Sequence, residues 1–272
     1  MGYLASGRKS FIIKMYHSPI LGQVPRGFME NKKTISPGRQ ALLLGGMCSI
    51  AYLAVYVAKN ALSAVGPQLT QNGVFTTTQL GAMSSSFFIA YAIGQLINGG
   101  IGDRIKGKYM ISLGLILSSF GIFLLPLLKG SPWAPTVAYC SSGFFLAMIY
   151  GPMTKLVSEN VPPKYAPRCS MGYTLASFLG SPAAGLLAAA LSWQWVFGTS
   201  GGIMVVMGLI CFITFTAFER KGLVRYGQYS PKEKTATGGI GLLIQRDIIR
   251  FTFVSILTGV VRTAVVDRKS VV

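Results

Sequence analysis

Six long apolar runs, at 41–58, 79–101, 109–128, 132–154, 170–192 and 196–218, divide the chain, and its polar residues collect between them. Each run is near or above the roughly 18–20 residues a helix needs to cross a bilayer. A helix satisfies its own backbone N–H and C=O groups in lipid, so the pattern predicts six transmembrane helices without an aqueous core. A seventh run, 251–266, carries Arg262 and is short for a span. An arginine at membrane depth costs at least ~2.5 kcal/mol, so this run reads as a partial helix that needs partners. Four segments follow: a basic stretch over 1–38, a six-helix transmembrane domain over 39–218, a polar linker over 219–247 containing Gly238 and Gly239, and a truncated seventh helix over 248–272. The ending "DRKSVV" (267–272) reads as possibly foreign to such a helix, and both Met1 and Met29 are open as the native start.

Charge sharpens this picture. Only 12% of residues are charged, against about 25% in soluble domains. A net charge of +18 by itself would fit a nucleic-acid binder. The placement argues otherwise. Twenty Lys and Arg fall in the segment before the first span and in the second–third, fourth–fifth and sixth–seventh connections, against Lys129 in the opposite loops. This bias predicts a multi-pass protein of the plasma (inner) membrane with its N-terminus in the cytoplasm, in contact with lipid and not with nucleic acid. Trp133, Trp193 and Trp195 fall at predicted outer boundaries, where an interfacial aromatic belt is expected.

Four isolated cysteines and a single histidine, His17, leave no metal-binding spacing, and no metal or other cofactor is expected. All seven acids lie at or beyond the ends of the predicted spans. A carboxylate proton carrier, a hydrolytic site or a membrane-embedded enzyme therefore has little to work with. Small residues recur every fourth position at Ala82, Ser86, Ala90 and Gly94, and again at Gly172, Ala176, Gly180, Ala184 and Ala188. Such stripes let helices approach closely. On the first span Tyr52, Tyr56, Lys59 and Ser63 share a face, with Asn60 beside it. Lys59 stands near the predicted end of that span, so two readings are open: a side chain snorkelling to the interface, or a cation aimed at an anionic solute. Gln95, Tyr173 and Ser177 could add hydrogen bonds.

The connection after the second span reads "NGGIGDRIKGK" (98–108) and resembles the loop signature of the major facilitator superfamily, with Gly99, Gly102, Asp103, Arg104, Gly107 and Lys108 matching in kind. "YVAKN" (56–60) and "YGPMTK" (150–155) look like motifs of its organophosphate:anion antiporter branch, and "SWQWVF" (192–197) resembles the family's turn before the sixth helix. The resemblance runs from about 39 to 262. It implies an all-α fold, a six-helix bundle forming the N-terminal half of a twelve-helix transporter, with helices 7–12 of the same protein as its partner. It also implies a cytoplasmic gate at the loop motif and matches Arg262 to a phosphate-binding arginine, so that Lys59 and Arg262 would neutralise a bound anion. Departures are Ala58 where the branch has arginine, Gln95 where the glycerol-phosphate members have lysine, and Ser177 at their histidine.

The expectation is a secondary transporter of a small organic anion, such as a phosphorylated sugar or polyol exchanged for phosphate, using Lys59, Arg262, Tyr52, Tyr56, Asn60, Gln95, Tyr173 and Ser177. A transporter of neutral or drug-like solutes and a transporter-like membrane sensor of sugar phosphates are the alternatives.

Overall fold

A computed structural model of the chain describes residues 36–102, 104–227 and 257. Asp103, Arg262, residues 1–35, the linker beyond 227 and all of the seventh span except residue 257 lie outside the described residues. Six helices follow one another: α1 (Pro37–Gln71), α2 (Thr77–Gly102), α3 (Gly107–Leu124), α4 (Ala134–Asn160), α5 (Ala166–Ala190) and α6 (Trp193–Arg220). There is no strand among the described residues.

Five of the helices, all but α4, are long and apolar enough to cross a membrane. α4 has the length, at 27 residues, but carries Ser141, Ser142, Thr154, Lys155, Ser158, Glu159 and Asn160. Some of its polar groups are covered by neighbouring helices, as Ser142 is fully buried and its hydroxyl donates to the Ser118 carbonyl at 2.9 Å, whereas the exposed Ser141 and Ser158 donate to carbonyls of α4 itself.

Two helix ends show how local chemistry sets the bounds. Before α2, the Gln79 N–H donates to the Thr76 hydroxyl and the Thr76 N–H donates to the Gln79 side-chain oxygen, a reciprocal capping box. After α1, Gly73 takes φ +62°, and the Gly73 and Val74 amides bond back to Thr70 and Leu69. That left-handed residue closes the helix as glycine does most readily.

The dominant packing pairs are α1 with α5, α2 with α4, α3 with α4, α3 with α6 and α1 with α6. Exchanging α1 with α4, α2 with α5 and α3 with α6 maps this set onto itself. The bundle is therefore two three-helix units of inverted topology, with α1 and α4 equivalent. Close approach depends on small residues. A Cβ at Gly180 would collide with the Tyr56 Cβ on α1, and one at Gly94 would lie 2.8 Å from the Ala147 Cβ on α4. The α5 stripe, with Ala176, Gly180, Ala184 and Ala188 buried, is thus used inside this bundle. On α2 only the Ala90–Gly94 end of the stripe is buried, and Ala82 is exposed.

Two expectations are corrected here. α1 does not end near Ala58; it continues to Gln71, because Ala61, Leu62, Val65 and Leu69 extend its buried stripe. Trp193 does not join an interfacial belt; it is 5% exposed and packs edge-on against Phe197, whereas Trp133 and Trp195 are exposed. All ten described Lys and Arg outside Lys59 and Lys129 gather at the end of the bundle where α1, α3 and α5 begin, hereafter the basic end.

Candidate functional site

Extension of α1 places Lys59 well inside a helix, twelve residues or about 18 Å before its last residue. Its ammonium stands 5.3 Å from the Tyr56 ring centre, 5.1 Å from Phe88 and 4.9 Å from Tyr91. Phe88 and Tyr91 lie at the middle of α2. The cation is thus at mid-depth among aromatic faces, whose negative quadrupoles stabilise it where water is scarce. The Tyr139 hydroxyl of α4 donates to the Lys59 carbonyl at 3.1 Å, fixing the two equivalent helices at this level.

Toward the basic end, tyrosines continue the cluster. Tyr52 meets Tyr56 at 5.0 Å between ring centres, Tyr150 at 5.7 Å and Tyr173 at 6.2 Å. Tyr150 and Tyr173 are 6.5 Å apart and nearly perpendicular. Gln95 sits one turn from Tyr91 on the same face of α2. Four helices, α1, α2, α4 and α5, therefore bring six phenols, an amide and one ammonium together. The chemistry available is one positive charge, several O–H donors and flat apolar faces.

The predicted residues fare differently. Tyr52, Tyr56, Lys59 and Tyr173 converge, and Gln95 lies one turn from Tyr91. Ser177 is buried one turn from Tyr173, yet its hydroxyl donates to the Thr174 carbonyl of its own helix at 2.7 Å. The Asn60 amide nitrogen is buried without a hydrogen-bond partner among the described residues. Arg262 lies outside the described residues. Phe88, Tyr91, Tyr139 and Tyr150 were not singled out from sequence. Phe88, Tyr91 and Gln95 follow one another at i, i+3 and i+7, a helical face that could have been read directly.

At the basic end, the turn between α2 and α3 forms a second cluster. Lys106 and Lys108 both bind the Glu219 carboxylate, at 2.7 and 2.6 Å. The hydrogen bond and charge of Glu219 hold the Lys106 ammonium above its ordinary pKa. Lys155 donates to the Gly102 carbonyl at 3.3 Å, and a Cβ at Gly107 would lie 3.4 Å from the Pro152 oxygen. Gly102, Arg104, Gly107, Lys155, Glu159 and Tyr226 line a pocket of about 220 Å³ there. Of the predicted gate residues, Gly102, Gly107 and Lys108 are packed, Gly99 and Arg104 are exposed, and Asp103 is outside the described residues.

An inverted repeat of three membrane helices, with a polar site at mid-depth, is the architecture of half a secondary transporter. The chain belongs to the Major Facilitator Superfamily, whose sequence profile matches residues 48–266. Among curated relatives, it is 25% identical over 194 residues to the phosphoglycerate transporter protein of Salmonella typhimurium, covering 68% of this chain and 42% of that one. It is 25% identical over 174 residues to the hexuronate transporter of Bacillus subtilis, covering 61% and 39%. It is 27% identical over 96 residues to the membrane sensor protein UhpC of Escherichia coli, covering 35% and 22%. The chain thus spans less than half the length of these relatives. The family and two of these three relatives are those of transport proteins, not enzymes.

Proposed function

We propose that the protein carries a small hydroxylated organic anion across the membrane, with Lys59 as the charge that neutralises it. The carrying observation is the position of Lys59: mid-helix, mid-depth, and held by three aromatic rings at 4.9–5.3 Å. Intramembrane cations are expensive and mark solute pathways. Tyr52, Tyr56, Tyr91 and Tyr173 would donate hydrogen bonds to the solute and present ring faces to its carbon skeleton. Arg262, in this reading, supplies a second charge from the seventh helix. Phosphoglycerate and hexuronate, which name two of the relatives, are both hydroxylated anions. Exchange of a phosphorylated sugar or polyol for phosphate is the particular form we infer from the branch motifs.

In the same reading the basic end faces the cytoplasm of the inner membrane. The segments over 1–38, 39–218, 219–247 and 248–272 act as basic lead, transport bundle, linker and first helix of a facing half. Helices 7–12 of the same protein would complete the site, and Asp103 and Arg104 would work in the gate. The test is counterflow in proteoliposomes with 3-phosphoglycerate, glucuronate, inorganic phosphate and glucose as loaded solutes. Saturable exchange of the anions and none of glucose is expected. Exchange of glucose alone would replace the proposal with a neutral-solute transporter, and ligand binding without flux would replace it with a sensor.

A further inference from the structure

The residues after α6 are polar and read from sequence as the start of a flexible linker, but their contacts are those of a built element. α6 closes with a left-handed glycine: Gly222 has φ +72°, its amide bonds to the Glu219 carbonyl, and the Leu223 amide bonds to Phe218 at 2.9 Å. This Schellman geometry turns the chain back across the basic end. The next residues then touch three other elements. The Leu223 carbonyl accepts from the Gln40 side chain of α1 at 2.7 Å. The Arg225 amide donates to the Asn160 side-chain oxygen at the end of α4 at 2.6 Å. Asn160 is itself fixed, donating to the Leu156 carbonyl at 2.9 Å. Val224 is 1% exposed. Tyr226 lies beside Gly107, where an added Cβ would come within 3.8 Å of its ring, and Lys106 stands 5.9 Å over that ring. A second left-handed glycine, Gly227 with φ +81°, ends the segment.

We propose that residues 221–227 are a strap that binds the start of α1, the end of α4 and the α2–α3 turn into one rigid body at the basic end. The strap and the Glu219 ion pairs act on the same turn from two sides, Glu219 through Lys106 and Lys108, Tyr226 through Gly107 and Lys106. Residues 221–227 are therefore tied to the bundle from the end of α6 onward. A displacement of residues 221–227 is delivered to the α2–α3 turn. None of this depends on which solute is carried.

The experiment uses the full chain in nanodiscs, with a maleimide probe and the modified sites located by peptide mass spectrometry. Val224→Cys, at a buried position, should react about tenfold or more slowly than Arg225→Cys, at an exposed one, because access requires local opening. Gly222→Val strains only the left-handed residue, since open space surrounds it. It should bring the Val224→Cys rate to that of Arg225→Cys, and raise amide exchange across the 104–109 turn. If Gly222→Val does not assemble, Tyr226→Ala should give the same two changes. Equal labelling of Val224→Cys and Arg225→Cys in the otherwise native chain overturns the strap. Faster labelling at Val224→Cys with unchanged exchange at 104–109 overturns its tie to the turn.

Discussion

Replacement of Lys59 by Gln separates a functional cation from a structural one, because the two readings move stability and transport in different directions. The native ammonium gains from three ring faces, about 0.5–1 kcal/mol each at the low end of such contacts. Against this stands ~2.5–3.5 kcal/mol for holding a cation at membrane depth. The sums nearly cancel, so Lys59→Gln should leave the melting temperature close to native. Transport is a different matter. A unit-charge pair at ~4 Å with an effective dielectric near 20 is worth about 4 kcal/mol, and hydrogen bonds to charged groups contribute ~1.5–3 kcal/mol net. A loss of 2–4 kcal/mol corresponds to a roughly 30- to 700-fold rise in the KM for the anion. The assay is anion counterflow over a wide concentration range, with thermal unfolding of the same preparations. Lys59→Arg should recover part of the affinity, since the charge stays while its geometry changes. A well-inserted Gln variant whose KM lies within about threefold of native would refute the reasoning and return Lys59 to a packing role.

Gly180→Leu should fail to assemble or lose at least ~2 kcal/mol in thermal unfolding, because its side chain would enter Tyr56, while Gly185→Ala, facing open space, should be neutral. Lys108→Met, at a side chain 7% exposed, should cost about 1–2 kcal/mol, whereas Lys106→Met, at one 51% exposed, should give no measurable shift in melting temperature. Because Glu219 raises the Lys106 pKa, that pair contributes fully below the unfolded lysine value and is lost as pH rises through the folded one. A melting curve should accordingly show no Lys106-dependent change between about pH 6 and 9, and any change should come only on the alkaline side. For orientation, an impermeant maleimide added outside intact cells should label Lys129→Cys and spare Lys164→Cys; the reverse pattern would invert the topology.

The helices were legible in sequence because lipid makes hydropathy the dominant signal, yet Lys59 shows where that signal fails. A window that penalises charge ends the first span at Ala58. The helix continues because Ala61, Leu62, Val65 and Leu69 stay buried and the cation finds rings on α2. Half of the site was read from α1, where tyrosines and lysine share one helical face. Phe88 and Tyr91 were missed because aromatic residues on apolar helices look like lipid-facing or core positions until tertiary packing turns them toward a charge, and Tyr150 because its partners, Tyr52 and Tyr173, lie on other helices. Trp193 errs in the opposite direction, its place at a predicted boundary hiding its burial against Phe197. The strap was read as flexible because its order comes from distant partners, Gln40 and Asn160, that no local pattern reveals.

The symmetry of the scaffold and the asymmetry of its side chains together give the site its character. α1 and α4 occupy equivalent places in the two three-helix units, each packed against the second helix of the other unit. Equivalent backbones would tolerate a cation on either. Only α1 carries one at depth; at the matching level α4 supplies Tyr139, which donates to the Lys59 carbonyl. The acids among the described residues, Glu159 and Glu219, both lie at the basic end and leave the middle of the bundle to aromatic groups. This matters for the proposed anion exchange. A carboxylate at Lys59 would have to be displaced by every arriving anion, at a cost of several kcal/mol in a site of low dielectric. Ring faces stabilise the ammonium by weaker, non-directional attraction. Such contacts hold the charge at mid-depth without a carboxylate that an arriving anion of the proposed kind would have to displace.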